Sequence, residues 1–130
     1  MKSTKKKADL LLQDFITRTK HPHKIEQAVR KTLHYSQATM AQKMHYCSVY
    51  VSDFENDVPL KPSVQEGIWK CVHEINYELY AKLSDQDFIL YCLRVVSNYG
   101  SACHDSELYD EELIQKFLEA LAKLYPKYAD

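Results

Sequence analysis

Two glycines in 130 residues is the feature that most limits what this chain can fold into. Ordinary usage is about 7%, and positive-φ turns and phosphate-cradling loops depend on a residue without a side chain. Gly67 and Gly100 stand far apart, so no G-x-G-x-x-G, G-x-x-x-x-G-K or G-x-S-x-G pattern exists. Sheets, dinucleotide folds and P-loop enzymes fit poorly. A chain of this length can bury roughly two thirds of its unfolded surface in one core without disulfides or a structural metal.

Hydrophobic spacing points to helices. Ala8, Leu11, Leu12, Phe15, Ile16 and Thr19 line one face of a helix over 8–19, which His21-Pro22-His23 interrupts. From Ile25 through Val29, Leu33, Ser36, Met40, Met44, Cys47 and Val51 to Phe54 the steps of three and four do not break. They predict one helix of about thirty residues, on the order of 45 Å long. Its least apolar part, Ser36 to Thr39, is where a bend or break would fall. After a loop with Pro59 and Pro62, Ser63-Val64-Gln65-Glu66 has the capping-box pattern and opens a third helix. That helix is apolar over a wide arc, so a central place in the packing is expected. Ser84 caps a fourth helix over 85–99, with Gly100 at its left-handed end, and a fifth runs from Ser106 to Tyr125 before Pro126. The expected architecture is all-α: a basic flexible N-terminus over 1–7, then a single-domain five-helix bundle over 8–128 with a long second helix.

Charge divides along the chain. Residues 1–43 carry ten Lys/Arg against three Asp/Glu, +7, and residues 44–130 carry seven against fifteen, −8. Such asymmetry suits an anionic partner at the first part or a cationic one at the second. It equally suits two parts that neutralise each other on folding.

Catalytic and metal patterns are scarce. His45-x-Cys47 and Cys71-x-His73 are two apart, so on a helix they diverge by about 200° and cannot chelate one ion. No H-E-x-x-H or C-x-x-C is present. His21 and His23 could face one way across a turn, but two ligands make no site. No catalytic residue, metal ligand or cofactor is assigned. Cys47, Cys71, Cys92 and Cys103 are widely spaced in apolar surroundings and read as reduced, buried thiols. No paired carboxylates stand in an apolar setting, because most acids sit in first turns or loops. Arg94, among apolar neighbours, is expected to pair with an acid such as Glu74 or Glu78, to reach outward to water, or to hold an anion.

Two surfaces carry the functional expectation. Ten tyrosines are unusual, and Tyr46 with Tyr50 and Tyr77 with Tyr80 sit at helical neighbour spacing, as in a partner-binding face or a core rim. Lys5, Lys6, Lys7, Lys20, Lys24, Arg30 and Lys31 form a set that can track phosphates or remain a solvated face. The leading expectation is a cytoplasmic, non-enzymatic protein that binds another protein, as a regulator, inhibitor, immunity factor or assembly subunit does. Second comes a nucleic-acid-binding protein using residues 2–34, and third a ligand or metal binder between helices. Neither an export segment nor a membrane span is expected.

Overall fold

The computed structural model describes residues 3–19, 21–106 and 109–125. Among them are seven α-helices and no strand: α1 (Thr4–Arg18), α2 (Pro22–Thr32), α3 (Gln37–Met44), α4 (Ser48–Glu55), α5 (Pro62–Lys82), α6 (Asp85–Cys103) and α7 (Glu111–Ala122). The all-α class holds and the count of five does not.

The extra helices come from the expected long second helix, which is three helices, α2, α3 and α4. His34 (φ 59°) and His45 (φ 61°) adopt left-handed backbone conformations after α2 and α3. His34 N–H donates to the Lys31 carbonyl at 3.1 Å and Tyr35 N–H to that of Arg30 at 3.0 Å. His45 and Tyr46 repeat the pattern on Gln42 and Ala41, at 3.2 and 2.9 Å. These paired back-bonds form the Schellman ending, a place usually held by glycine. Asp57 (φ 58°) closes α4 in the same way, with Val58 N–H on the Asp53 carbonyl at 2.9 Å. Apolar steps ran through both breaks because each short helix turns its own stripe inward: Ile25 and Val29, Met40 and Met44, Val51 and Phe54 are all buried. Ser36 opens α3, its Oγ accepting the Thr39 N–H at 3.0 Å.

At its start α1 begins at Thr4 rather than at residue 8, so Lys5, Lys6 and Lys7 lie in its first turn. Ser3 Oγ caps it by accepting the Lys6 N–H at 3.1 Å. The Asp85 carboxylate accepts from Thr4 Oγ1 at 2.9 Å and from the Lys5 N–H at 3.3 Å. One acid thus joins the starts of α1 and α6, where both helix dipoles favour negative charge.

The centre of the packing is α6, not α5. Nine residues of α6 are buried, from Phe88 to Cys103, whereas α5 buries Ile68, Val72 and Asn76. Phe15 of α1 meets Tyr99 of α6 edge-on at 5.2 Å and Phe117 of α7 at 5.3 Å. On another side Asn98 Nδ2 donates to Thr32 Oγ1 of α2 at 2.8 Å. The wide apolar arc of α5 instead spreads half-buried aromatics over a rim. Its capping box does not form: α5 starts at Pro62, with no side-chain bond from its N-cap Lys61, and Gln65 Nε2 donates back to the Leu60 carbonyl at 3.3 Å. Gly100 lies inside α6 rather than after it, facing the Ile114 side chain. At its own start α7 is capped by Asp110 Oδ1, which accepts the Leu113 N–H at 3.0 Å.

Candidate protein-docking surface

The four tyrosines fall into two groups at opposite ends of α5. Tyr46 and Tyr50 pack edge-on at 5.9 Å near its start, with the Tyr46 phenol over Gly67. Tyr50 is 39% exposed, next to exposed Val49 and Cys47. Tyr77 and Tyr80 lie toward the other end, about 15 Å along the axis from Gly67 at 1.5 Å per residue. Tyr80 is half-buried edge-on against Phe88 at 5.3 Å. Tyr77 is 73% exposed, the most open large apolar side chain among the described residues. It borders two shallow hollows that also share His73, one with Lys70 and Glu78 on α5, the other with Lys6, Asp9 and Gln13 of α1.

The basic set is dispersed. Lys5 and Lys6 hold their ammonium groups 5.4 and 5.8 Å from the Tyr80 ring centre, which brings part of the basic set to part of the aromatic set. Lys6 also pairs with Asp9 at 3.8 Å. Lys7 and Lys31 are exposed. Lys24 and Arg30 are taken up internally: Lys24 Nζ donates to the Glu55 carbonyl at 2.8 Å, and Arg30 grips the Glu55 carboxylate through Nε and Nη2 at 2.7 and 2.8 Å. Lys20, along with Lys2, lies outside the described residues.

Arg30 reveals what the sequence concealed. Glu26 and Glu55 form a carboxyl pair in an apolar setting, 0% and 1% exposed, where no such pair was expected. Burial, and then the Glu55 carboxylate, push Glu26 up to about 10. Burial opposes the charge on Glu55 as well, but hydrogen bonds from Arg30 and Gln37 hold it below the usual carboxylate range. One proton and one guanidinium therefore let two acids share a dry space between α2 and α4. Glu26 falls in the second turn of α2, directly after the buried Ile25, while Glu55 follows the buried Phe54. Their only signal was adjacency to the apolar stripe. Both are sealed from solvent, so a substrate has no approach.

The histidines are structural neighbours. His21 Nε2 lies 2.7 Å from Ser106 Oγ, and His21 Nδ1 and His23 Nε2 stand 3.9 and 3.4 Å from the two oxygens of Asp57. Both rings thus face one acid across the turn. Among the described residues no group of three or more His, Cys, Asp or Glu is arranged to hold a metal ion. Cys92 and Cys103 are buried and Cys71 is half-buried, but Cys47 is exposed at the N-cap of α4, against expectation. Burial pushes the Cys71, Cys92 and Cys103 thiols up, away from the thiolate a nucleophile needs. Arg94 is exposed and makes no ion pair or hydrogen bond with another described residue, Glu74 and Glu78 included. No described helix is long and apolar enough to cross a membrane.

Comparison with known proteins returns no match: no family model, no curated protein and no solved structure resembles the chain at significance.

Proposed function

We propose that this chain is a non-enzymatic protein-binding module that docks its partner on the outward face of α5. The observation that carries this reading is Tyr77, an aromatic left 73% exposed in mid-helix beside His73 and Tyr80. Tyrosine offers a large apolar body with a polar tip and few rotors to freeze, which suits an interface centre. The dry carboxyl pair supports the same reading, because the most perturbed acid among the described residues has no route to a substrate. A photo-crosslinking phenylalanine analogue at position 77 should yield a discrete protein adduct in expressing cells, and the same group at exposed Gln42 should not. Identical adducts at both positions, or none at 77, reject this surface.

A second reading, binding of a single-stranded polyanion, is favoured by the stack of Lys5 and Lys6 over Tyr80 next to exposed Tyr77. Labelled DNA and RNA oligonucleotides, titrated at low and physiological salt, test it. Binding that persists at physiological salt and fades in a Lys5→Glu/Lys6→Glu variant supports it. Absence of binding at both salts removes it.

A further inference from the structure

The solvent side of α6 and α7 is an open trough. Two hollows of about 490 Å³ each follow one another along it and share Ser97, Gln115 and Leu118. The first is bounded by Leu90 and Ala122, the second reaches His104, and the helices run antiparallel on either side. From Leu90 to His104 is about 21 Å at 1.5 Å per residue, room for four turns of a third helix. Half-buried Leu93 and Leu118 supply apolar floor, as in grooves that receive amphipathic helices.

The two walls differ in charge along the first hollow, while the far end of the second is acidic on both sides, with Asp105 just past α6 and Glu111 at the start of α7. On the α6 side stands Arg94, exposed and unpaired among the described residues. On the α7 side stand Glu111 and Glu119, both exposed and two turns apart. Gln115 separates them and Ser97 faces it, so both walls are neutral at the middle of the trough.

We infer that the α6–α7 trough receives an amphipathic helix of a protein partner, basic on the flank that meets α7 and acidic on the flank that meets Arg94. An apolar stripe packs on Leu93 and Leu118. Two Lys or Arg seven positions apart face Glu111 and Glu119, and one Asp or Glu faces Arg94. Flanking charges of this kind set partner choice and orientation in paired helices. The surface is separate from the α5 face, so loss of binding at one leaves the other to be judged alone.

A display library tests it: helices of about eighteen residues, with a fixed leucine stripe and flank positions drawn from Lys, Glu and Gln, selected on the immobilised full chain. The expected winners carry the basic pair on one flank and an acid on the other, and bind at least about tenfold more tightly than the helix with the two flanks exchanged. A doubly substituted protein, Arg94→Glu with Glu119→Lys, should select the opposite sign at the two matching positions. Both substitutions are at exposed sites, and the helical circular dichroism and melting curve confirm the fold. No charge enrichment, or the same charges enriched on the substituted protein, overturns the inference.

Discussion

The Tyr46 hydroxyl occupies the space into which a side chain at position 67 would grow: a Cβ on Gly67 would overlap it. A mid-helix glycine costs about 1 kcal/mol relative to alanine, so α5 gives up intrinsic stability to seat the turn between α3 and α4. Gly67→Ala should therefore stabilise a Tyr46→Ser protein by about 1 kcal/mol and fail to stabilise the parent. A double-mutant cycle read by urea unfolding should return a coupling of about 1 kcal/mol, and zero coupling would mean that the phenol does not depend on Gly67. Gly100→Ala is the contrast. Its Cβ would meet Ile114 at an ordinary 3.5 Å, so the full helix-propensity gain of about 1 kcal/mol should appear.

Non-glycine residues at left-handed positions give a second measurable quantity. The left-handed conformation costs a side-chain-bearing residue about 1–2 kcal/mol, less than this after the chain entropy of glycine is counted. His34→Gly and His45→Gly should each raise the unfolding free energy by roughly 0.5–1 kcal/mol. Destabilisation by either would show that the imidazole makes a contact worth more than the strain.

The buried carboxyl pair sets a pH dependence whose sign follows from its two members. Glu26 keeps its proton in the folded chain up to about 10 and releases it near 4.5 when unfolded. Its stabilising contribution is full below 4.5 and is lost as pH rises toward 10, at most about 1.4 kcal/mol per pH unit. Glu55, held below its ordinary value, contributes above that value and loses its contribution in acid. Unfolding free energies at pH 6, 7.5 and 9 should fall in the parent and stay nearly level in Glu26→Gln, which keeps the shape without the titration. Parallel slopes would sink the assignment.

Removing the cation of the same network should be severe. Arg30→Leu leaves Glu55 buried without its guanidinium, a change that typically costs about 3–5 kcal/mol. Arg30→Leu with Glu55→Leu should recover much of that loss, measured by thermal melting of the single and double variants.

Surface and core aromatic positions separate by stability alone. Tyr77→Ala should alter unfolding free energy by no more than about 0.5 kcal/mol, while Phe88→Ala, at a fully buried ring, should cost about 3–5 kcal/mol. A large loss in Tyr77→Ala would place that ring in the core and remove the basis of the α5 docking face.

The helical class was legible because glycine scarcity and three-four spacing are local properties. Ser84 shows the same: its Oγ accepts the Asp87 N–H at 3.2 Å, as its sequence context predicts. The breaks at His34 and His45 were not legible. A Schellman turn reads as a turn when glycine closes it, and the apolar phase on either side continued unbroken because both flanking helices face one core. Neither was the Glu26–Glu55 pair, since 29 positions and two turns separate partners that meet only after folding. For the tyrosines and lysines, residue type named the candidates, but only tertiary placement separated Tyr77 from Tyr80, or Lys5 from Lys24.

Because α6 supplies the wall against which both α1 and α2 pack, the first quarter of the chain waits for a segment that begins at Asp85. Until that segment is made, Leu12, Phe15, Ile25 and Val29 lack their largest packing surface, and a chain stalled before it is expected to expose apolar area to chaperones and to other copies. Chains truncated upstream of residue 85 are thus expected to behave as sticky fragments rather than as smaller working domains.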